Sequence, residues 1–218
     1  MKNMRLTVCI GIMCGWLAAG MLHAGTRPDH VRPVEEDGSR LWLPVIRPVE
    51  GAEVEITYKG KVSPTIAIAI AELKNAWKGD PVLLEKKKTG RGDGFAITSS
   101  EHQVRILSST ETGLLYGAYS LLRMQAAGQL TVPLSVTEQP AYDLRILNHW
   151  DNPDGTVERG YAGRSLWNWE ELPGTLSPRY EAYVRANASV GINGTVLNNV
   201  NASPQVLTTG SLEKVKAL

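Results

Sequence analysis

Between Arg145 and Trp169 the chain reads RILNHWDNPDGTVERGYAGRSLWNW, and side chains able to bind a polar ring crowd into it. Three of the six Trp lie in Trp150–Trp169, beside one Tyr, two Arg, one Glu and two Asp. Indole and phenol rings offer flat apolar faces with one polar tip. Carboxylates, amides and guanidinium groups offer hydrogen bonds in fixed directions. Together they suit a sugar, which has an apolar C–H face and a rim of hydroxyls. The same residues also describe an aromatic-rich lid packed over a core with its charges solvated. Glu158-Arg159, likewise, is either a ligand-facing pair or a local ion pair that shapes the loop. A second polar cluster, Asn198, Asn199 and Asn201, follows the apolar run Gly194–Leu197. Asn presents neutral donors and an acceptor to hydroxyls, or caps a helix and closes an Asx-turn.

The elements that must position these groups can be read from the flanking pattern. Leu144–Leu147 is a short apolar strand that turns polar and aromatic at its C-terminal end, as the strands of an α/β barrel do where they present a site. Pro153-Asp154-Gly155 reverses the chain, and Pro173-Gly174 breaks it again. Ser177-Pro178 starts a helix. That helix carries Tyr180, Tyr183, Val184 and Ala188 on one side and ends at Gly191. Gly194–Leu197 is the next strand. Strand, loop, helix, strand, loop is the opening of a parallel βα repeat.

Upstream, residues 25–139 read as one small α/β domain. Val54–Tyr58 alternates as a strand. Ser63-Pro64 opens a helix that runs to Trp77; its Ile-Ala alternation imitates a strand, but the Ser-Pro start and the Ala, Glu, Leu and Lys content favour helix. Lys86–Gly94 is a polar turn between two strands; its three Lys could hold an anion but read as a solvated loop. Phe95–Thr98 and Gln103–Leu107 are strands. Glu111–Ala127 is a helix capped by Thr110, with Leu114, Leu115, Ala118, Leu121 and Leu122 at helical spacing. Strand–helix–strand–strand–helix gives a sandwich-like α/β layer, a sheet covered on one face by two helices. Val132–Gln139, with Pro133 and Pro140 nearby, reads as a linker. Residues 140–218 are then the start of a (β/α)8 barrel. A full barrel needs roughly 200 residues or more, and Ser211–Leu218 reads as a helix cut off in mid-run. The expectation is therefore an N-terminal fragment of a longer protein.

At the other end, Lys2 and Arg5 precede the apolar run Leu6–Leu22, and Leu22-His23-Ala24 provides a small-residue cleavage site. This is the pattern of a signal peptide, residues 1–24, and implies export to the periplasm or beyond. With no stop-transfer pattern after it, no membrane association is expected once it is cleaved. Cys9 and Cys14, the two cysteines, both lie in it, so the mature chain is expected to hold no disulfide and no thiolate metal site. A net charge of +1 gives no electrostatic reason to bind nucleic acid. There is no phosphate-binding Gly-rich loop and no HExxH. His30, His102 and His149 are scattered, and neither a metal nor a cofactor is expected.

NHWDN-x-DG-x-x-ERGYAG-x-S-x-W, followed by GINGTVLNNVNA, resembles the xylan α-glucuronidases of glycoside hydrolase family 67. The resemblance is dense over Tyr142–Ala202; the earlier part is similar only in layout. It implies hydrolysis of α-1,2-linked (4-O-methyl)glucuronic acid from glucuronoxylan-derived oligosaccharides with inversion, and it leaves room for a homodimeric parent. Inversion needs one carboxylic acid to protonate the leaving oxygen and a second carboxylate to activate water. By the family pattern both lie on later strands, so no catalytic residue is assigned in this chain. The resemblance makes Trp150, Asp151, Glu158, Arg159, Asn198 and Asn199 the expected substrate-binding residues. Trp150 would stack on the sugar, Glu158 accept from a hydroxyl, and Arg159 meet the uronate carboxylate. A non-catalytic carbohydrate-binding or scaffold protein, or another two-domain glycosidase, is the alternative.

Overall fold

Alternating apolar residues between turn signals build the first sheet, and the computed structural model describes residue 43 and residues 54–198 and 203–218. The expected signal peptide lies outside the described residues, which all fall in the contact unit Asp37–Leu218. The sheet has five strands in the order β1-β2-β4-β3-β5. They are β1 (Ile56–Lys59), β2 (Val82–Lys86), β3 (Phe95–Ser100), β4 (Gln103–Ser108) and β5 (Ser135–Glu138). β1, β2 and β4 run parallel, whereas β3 is antiparallel to both β4 and β5.

One face of this sheet carries α1 (Pro64–Ala76) and α2 (Glu111–Ala126). Ser63 caps α1 by accepting the Ile66 N–H at 3.3 Å. The buried residues Ile66, Ala69, Leu73 and Ala76 recur at helical spacing, so the Ile-Ala alternation does form helix. Thr110 caps α2 through the Gly113 N–H at 3.0 Å. In α2 every residue from Gly113 to Leu122 is buried, because α1 covers one side and the sheet another. Gly117 makes the close approach possible: a Cβ there would stand 2.5 Å from Ile106 Cγ2.

Two differences from the sequence expectation stand out. The pattern bounded three strands and left the one before the Lys-rich turn without bounds, and the sheet has five. β2 is the strand before the Lys-rich turn. The segment read as a linker contains β5, which pairs Phe95 with Glu138 and Thr98 with Ser135. β5 is polar and largely exposed, as a sheet-edge strand tolerates. Pro133 and Pro140, which suggested a linker, stand just outside it, where they remove no ladder bond.

Beyond β5 the chain makes β6 (Ile146–Asn148), α3 (Pro178–Ser189) and β7 (Gly194–Val196), then a 3-10 turn (Pro204–Leu207) and α4 (Thr209–Ala217). β6 and β7 are parallel, with Ile146 opposite Gly194 and Asn148 opposite Val196. Leu144, Ile146 and Val196 are exposed.

Two arginines fasten this βα unit to the first sheet layer. Arg145 reaches Asp93 at 2.6 Å, donates to the Gly191 carbonyl, and stands 5.6 Å from the Tyr116 ring centre. Burial alone would lower the Arg145 pKa, but the Asp93 hydrogen bond and charge raise it. Arg185 on α3 grips both oxygens of Glu72 on α1, at 2.6 and 2.7 Å. Tyr119 donates to the same carboxylate at 3.2 Å. Burial, and then the Glu72 charge, push the Tyr119 phenol well above its ordinary value.

Candidate functional site

The site is built on the loop that leaves β6. His149 N–H bonds back to the Val196 carbonyl at 3.2 Å, so the loop starts while still attached to the neighbouring strand. The chain then folds on itself. Asp151 bridges Val157, and Thr156 bridges Arg164. At the tip, Asp154 Oδ1 accepts from the Thr156 N–H at 2.9 Å and from its hydroxyl at 2.7 Å, an Asx-type turn. Gly155 supplies the left-handed φ of 84° that this turn needs.

Trp150 and Glu158 meet across the fold: the Glu158 N–H donates to the Trp150 carbonyl at 2.8 Å. Trp150 is 43% exposed. Glu158 has φ 59°, a left-handed conformation that a non-glycine residue adopts only when its surroundings impose it. Asn152 is one such constraint, since its amide donates to the Glu158 carbonyl at 2.8 Å. The Glu158 carboxylate is mostly buried, whereas Arg159 points outward, its Nε 4.0 Å from Glu158 Oε1. Desolvation, followed by the Glu158 charge, raises the pKa of the neighbouring Tyr161 phenol.

Asp151 lies beneath this surface and is 4% exposed. Its Oδ2 accepts from the Ser165 hydroxyl at 2.6 Å and from the Leu166 N–H at 2.9 Å, and its Oδ1 faces His149 Nδ1 at 3.4 Å. The expectation that Asp151 contacts substrate therefore gives way to a bracing role, because its carboxylate is taken up inside the loop. Asn198, two residues past β7, is half-buried and shares a cavity of about 160 Å³ with Pro153, Trp169 and Lys214. Its Oδ1 is buried and has no hydrogen-bond partner among the described residues. Asn199 lies outside the described residues. The structure thus brings Trp150 and Glu158 together with Arg159 at the rim and Asp151 underneath, and it sets Asn198 against the loop's Pro153.

The sequence reading missed what supports the loop. His149 Nε2 and the Tyr183 hydroxyl are 2.5 Å apart, and Tyr183 stands 3.3 Å from the Thr195 hydroxyl. A polar chain thus runs Asp151–His149–Tyr183–Thr195 across β6, α3 and β7. Trp167 packs on His149, Tyr180 and Tyr183, with ring centres 5.3–5.8 Å apart. Trp167, Trp169, Leu172 and Tyr180 form a second buried cluster below the loop. The available signal was parity: Leu147 and Thr195 are register partners, so Thr195 shares a face with Leu147 and not with Asn148.

The Asp154 turn gives a first test. Hydrogen bonds from Thr156 hold its carboxyl below the usual 3.8. A depressed folded value means that this support is present at neutral pH and is lost as pH falls through the depressed value. A carboxyl-carbon NMR titration is expected to place the Asp154 midpoint below 3.8. Thr156→Val, which removes the largest cause, should move it back up. A midpoint unmoved by Thr156→Val would contradict this account.

Residues 124–218 match the model of the glycosyl hydrolase family 67 middle domain. The probable alpha-glucuronidase A of Aspergillus clavatus is 39% identical over 122 residues, covering 56% of this chain and 14% of that protein. That of Neosartorya fischeri is 42% identical over the same length and the same shares. The alpha-glucuronidase A of Aspergillus tubingensis is 40% identical over 115 residues, 53% of this chain and 14% of that protein. The matched part of the chain thus spans about 14% of the length of these relatives. Among solved structures, a GH138 enzyme targeting pectin rhamnogalacturonan II is similar with a TM-score of 0.53 at 13% identity, covering 76% of this chain and 22% of that one, a likeness of fold alone. Over residues 124–218 the chain is thus similar to the glycosyl hydrolase family 67 middle domain and to proteins named alpha-glucuronidase.

Proposed function

We propose that this chain supplies sugar-binding surface to an exported glycoside hydrolase that releases α-1,2-linked (4-O-methyl)glucuronic acid from xylo-oligosaccharides with inversion. The match to the family 67 middle domain over residues 124–218 and the relatives' name, alpha-glucuronidase, support the activity. The N-terminal charged and apolar pattern supports export. The parallel β6–α3–β7 unit supports a (β/α)8 barrel that opens here, with the first sheet layer as a separate preceding domain. In such a barrel the loops after the strands carry the site, and the Trp150–Trp169 loop and Asn198 are in that position.

One observation carries the reading: a half-exposed Trp150 is bonded through its carbonyl to Glu158, a carboxylate residue held in left-handed backbone. Trp150 stacks on a sugar face, Glu158 accepts from a hydroxyl, and Arg159 at the rim meets the uronate with its planar fork. Asn198 and Asn199 add neutral hydrogen bonds. The acid and base of the reaction are assigned to later strands, as the family pattern implies.

Trp150→Ala in the intact enzyme tests this. Aromatic contacts contribute about 0.5–1.5 kcal/mol beyond area burial, and ring-face burial adds roughly 25 cal/mol per Å². We expect kcat/KM on glucuronosyl xylo-oligosaccharides to fall on the order of ten- to a hundredfold, since about 1.36 kcal/mol is a factor of ten. The melting temperature should hold, because the ring is not part of either buried cluster. A large drop in melting temperature with normal kinetics would count against the binding role.

A further inference from the structure

A second cavity, of about 570 Å³, lies at the opposite ends of the same strands. Asp143, Asn193 and Gly194, just before or at the starts of β6 and β7, line it, and Thr112 and Tyr116 of α2 close its other side. It runs along the seam between the first sheet layer and the βα unit, the kind of boundary where small-molecule sites form, and its size is within the roughly 300–1,000 Å³ they occupy.

Asn187 of α3 gives the cavity chemical meaning. It lines the cavity and is 6% exposed. Its side-chain amide has no hydrogen-bond partner among the described residues. Its amide is not among the fully buried polar atoms left unpaired, so the little exposure that Asn187 keeps leaves the amide open to the cavity it lines. Burial also removes Asn187 from any role as a glycan acceptor, although Asn187-Ala188-Ser189 has the acceptor pattern.

The surrounding groups define the ligand. Asn187 and the hydroxyls of Tyr183 and Thr195 are neutral hydrogen-bonding groups, while Val184 and Ile192 are apolar. The charged side chains of the lining are the carboxylates of Asp93 and Asp143. Asp93 is held by Arg145, whereas Asp143 is 76% exposed and lies 3.9 Å from Arg91. The Tyr116 phenol feels this field: burial, then the Asp93 charge, raise its pKa. Such a lining disfavours an anion and suits an uncharged ring with hydroxyls on its rim.

We infer that this seam is a binding site for a neutral pyranose unit, separate from the Trp150 loop and selective against uronates. The inference does not rest on the glucuronidase reading. Asn187 donates and accepts in the plane of its amide, the Tyr183 and Thr195 hydroxyls add a second contact, and the Val184–Ile192 surface covers the ring's C–H face.

The test is a titration of the full chain with xylobiose, followed by the side-chain amide resonances of Asn187 and by calorimetry. Saturable shifts at Asn187 are expected, and sodium glucuronate at equal concentration should produce none. Asn187→Asp should weaken xylobiose binding at least tenfold. Thr112→Trp, at an exposed first-turn position of α2, should abolish it by filling the mouth, and it decides the question if Asn187→Asp does not fold. Trp150→Ala should leave it unchanged. No saturable response at Asn187, an affinity unaltered by Thr112→Trp, loss of binding with Trp150→Ala, or equal binding of glucuronate would each overturn the proposal. Failure of the Trp150 kinetic test leaves this site standing, and failure here leaves the Trp150 reading standing.

Discussion

Arg185→Ala is expected to lower the free energy of unfolding by about 3 kcal/mol, at the low end of what breaking a buried ion pair costs. Glu72 and Arg185 are each 16% exposed and meet through two short bonds. Removing the guanidinium leaves the carboxylate largely desolvated beside the Tyr119 hydroxyl, which cannot neutralise it. It also removes the donor to the Leu43 carbonyl, 2.8 Å away, and the cation over the Tyr119 ring. The contrast is the double replacement Glu72→Met with Arg185→Met. An apolar pair of similar volume often costs little or nothing relative to the ion pair, so the double variant should be markedly more stable than Arg185→Ala. Urea unfolding followed by tryptophan fluorescence measures both. If Arg185→Ala stays within about 0.5 kcal/mol of the parent, the level of an ordinary surface substitution, the clamp is not holding the layers together.

Asp151→Ala should be nearly as costly, roughly 2–4 kcal/mol, because hydrogen bonds to a charged acceptor are worth about 1.5–3 kcal/mol each and the donors left behind are half-buried. The Ser165 hydroxyl, the Leu166 N–H and the His149 ring all lose their acceptor together. With it goes the tie between the start of the loop and its return limb, so Trp150 and Glu158 lose their common frame. The near-ultraviolet circular dichroism of the aromatic cluster should therefore change without any ligand present. Unchanged spectra and stability combined with altered sugar binding would instead restore Asp151 to the ligand contacts.

The elements were legible where one local signal sufficed. Ser63-Pro64, Thr110 and Ser177-Pro178 marked three helix starts, and the caps at Ile66, Gly113 and Arg179 are present. β5 was not legible, because Ser135–Glu138 has little apolar content and owes its strand form to the β3 edge it pairs with. In the loop, residue types pointed to Trp150 and Glu158, but not to which carboxylate would be used up internally. Asp151 and Glu158 look alike in sequence. They part company because Ser165 and Leu166, fourteen and fifteen residues on, return to one of them. The His149–Tyr183 contact, spanning 34 residues, needs the β6–α3–β7 geometry to exist at all.

The Glu72–Arg185 clamp also bears on the order in which the chain assembles. Its partners are 113 residues apart, whereas the β3–β4 hairpin joins consecutive strands and the α1–α2 contact between Glu72 and Tyr119 spans 47 residues. Closing so long a loop costs only slightly more entropy than closing a shorter one, since the cost grows with the logarithm of length. The contact nevertheless cannot begin until Arg185 has been synthesised. Until then Glu72 sits on a nascent layer with Tyr119 as its neighbour and water over the rest. The arrival of α3 is what dries that carboxylate. Docking of the βα unit and desolvation of Glu72 are thus one event, and a ribosome-bound chain that stops short of Arg185 would carry this charge still hydrated.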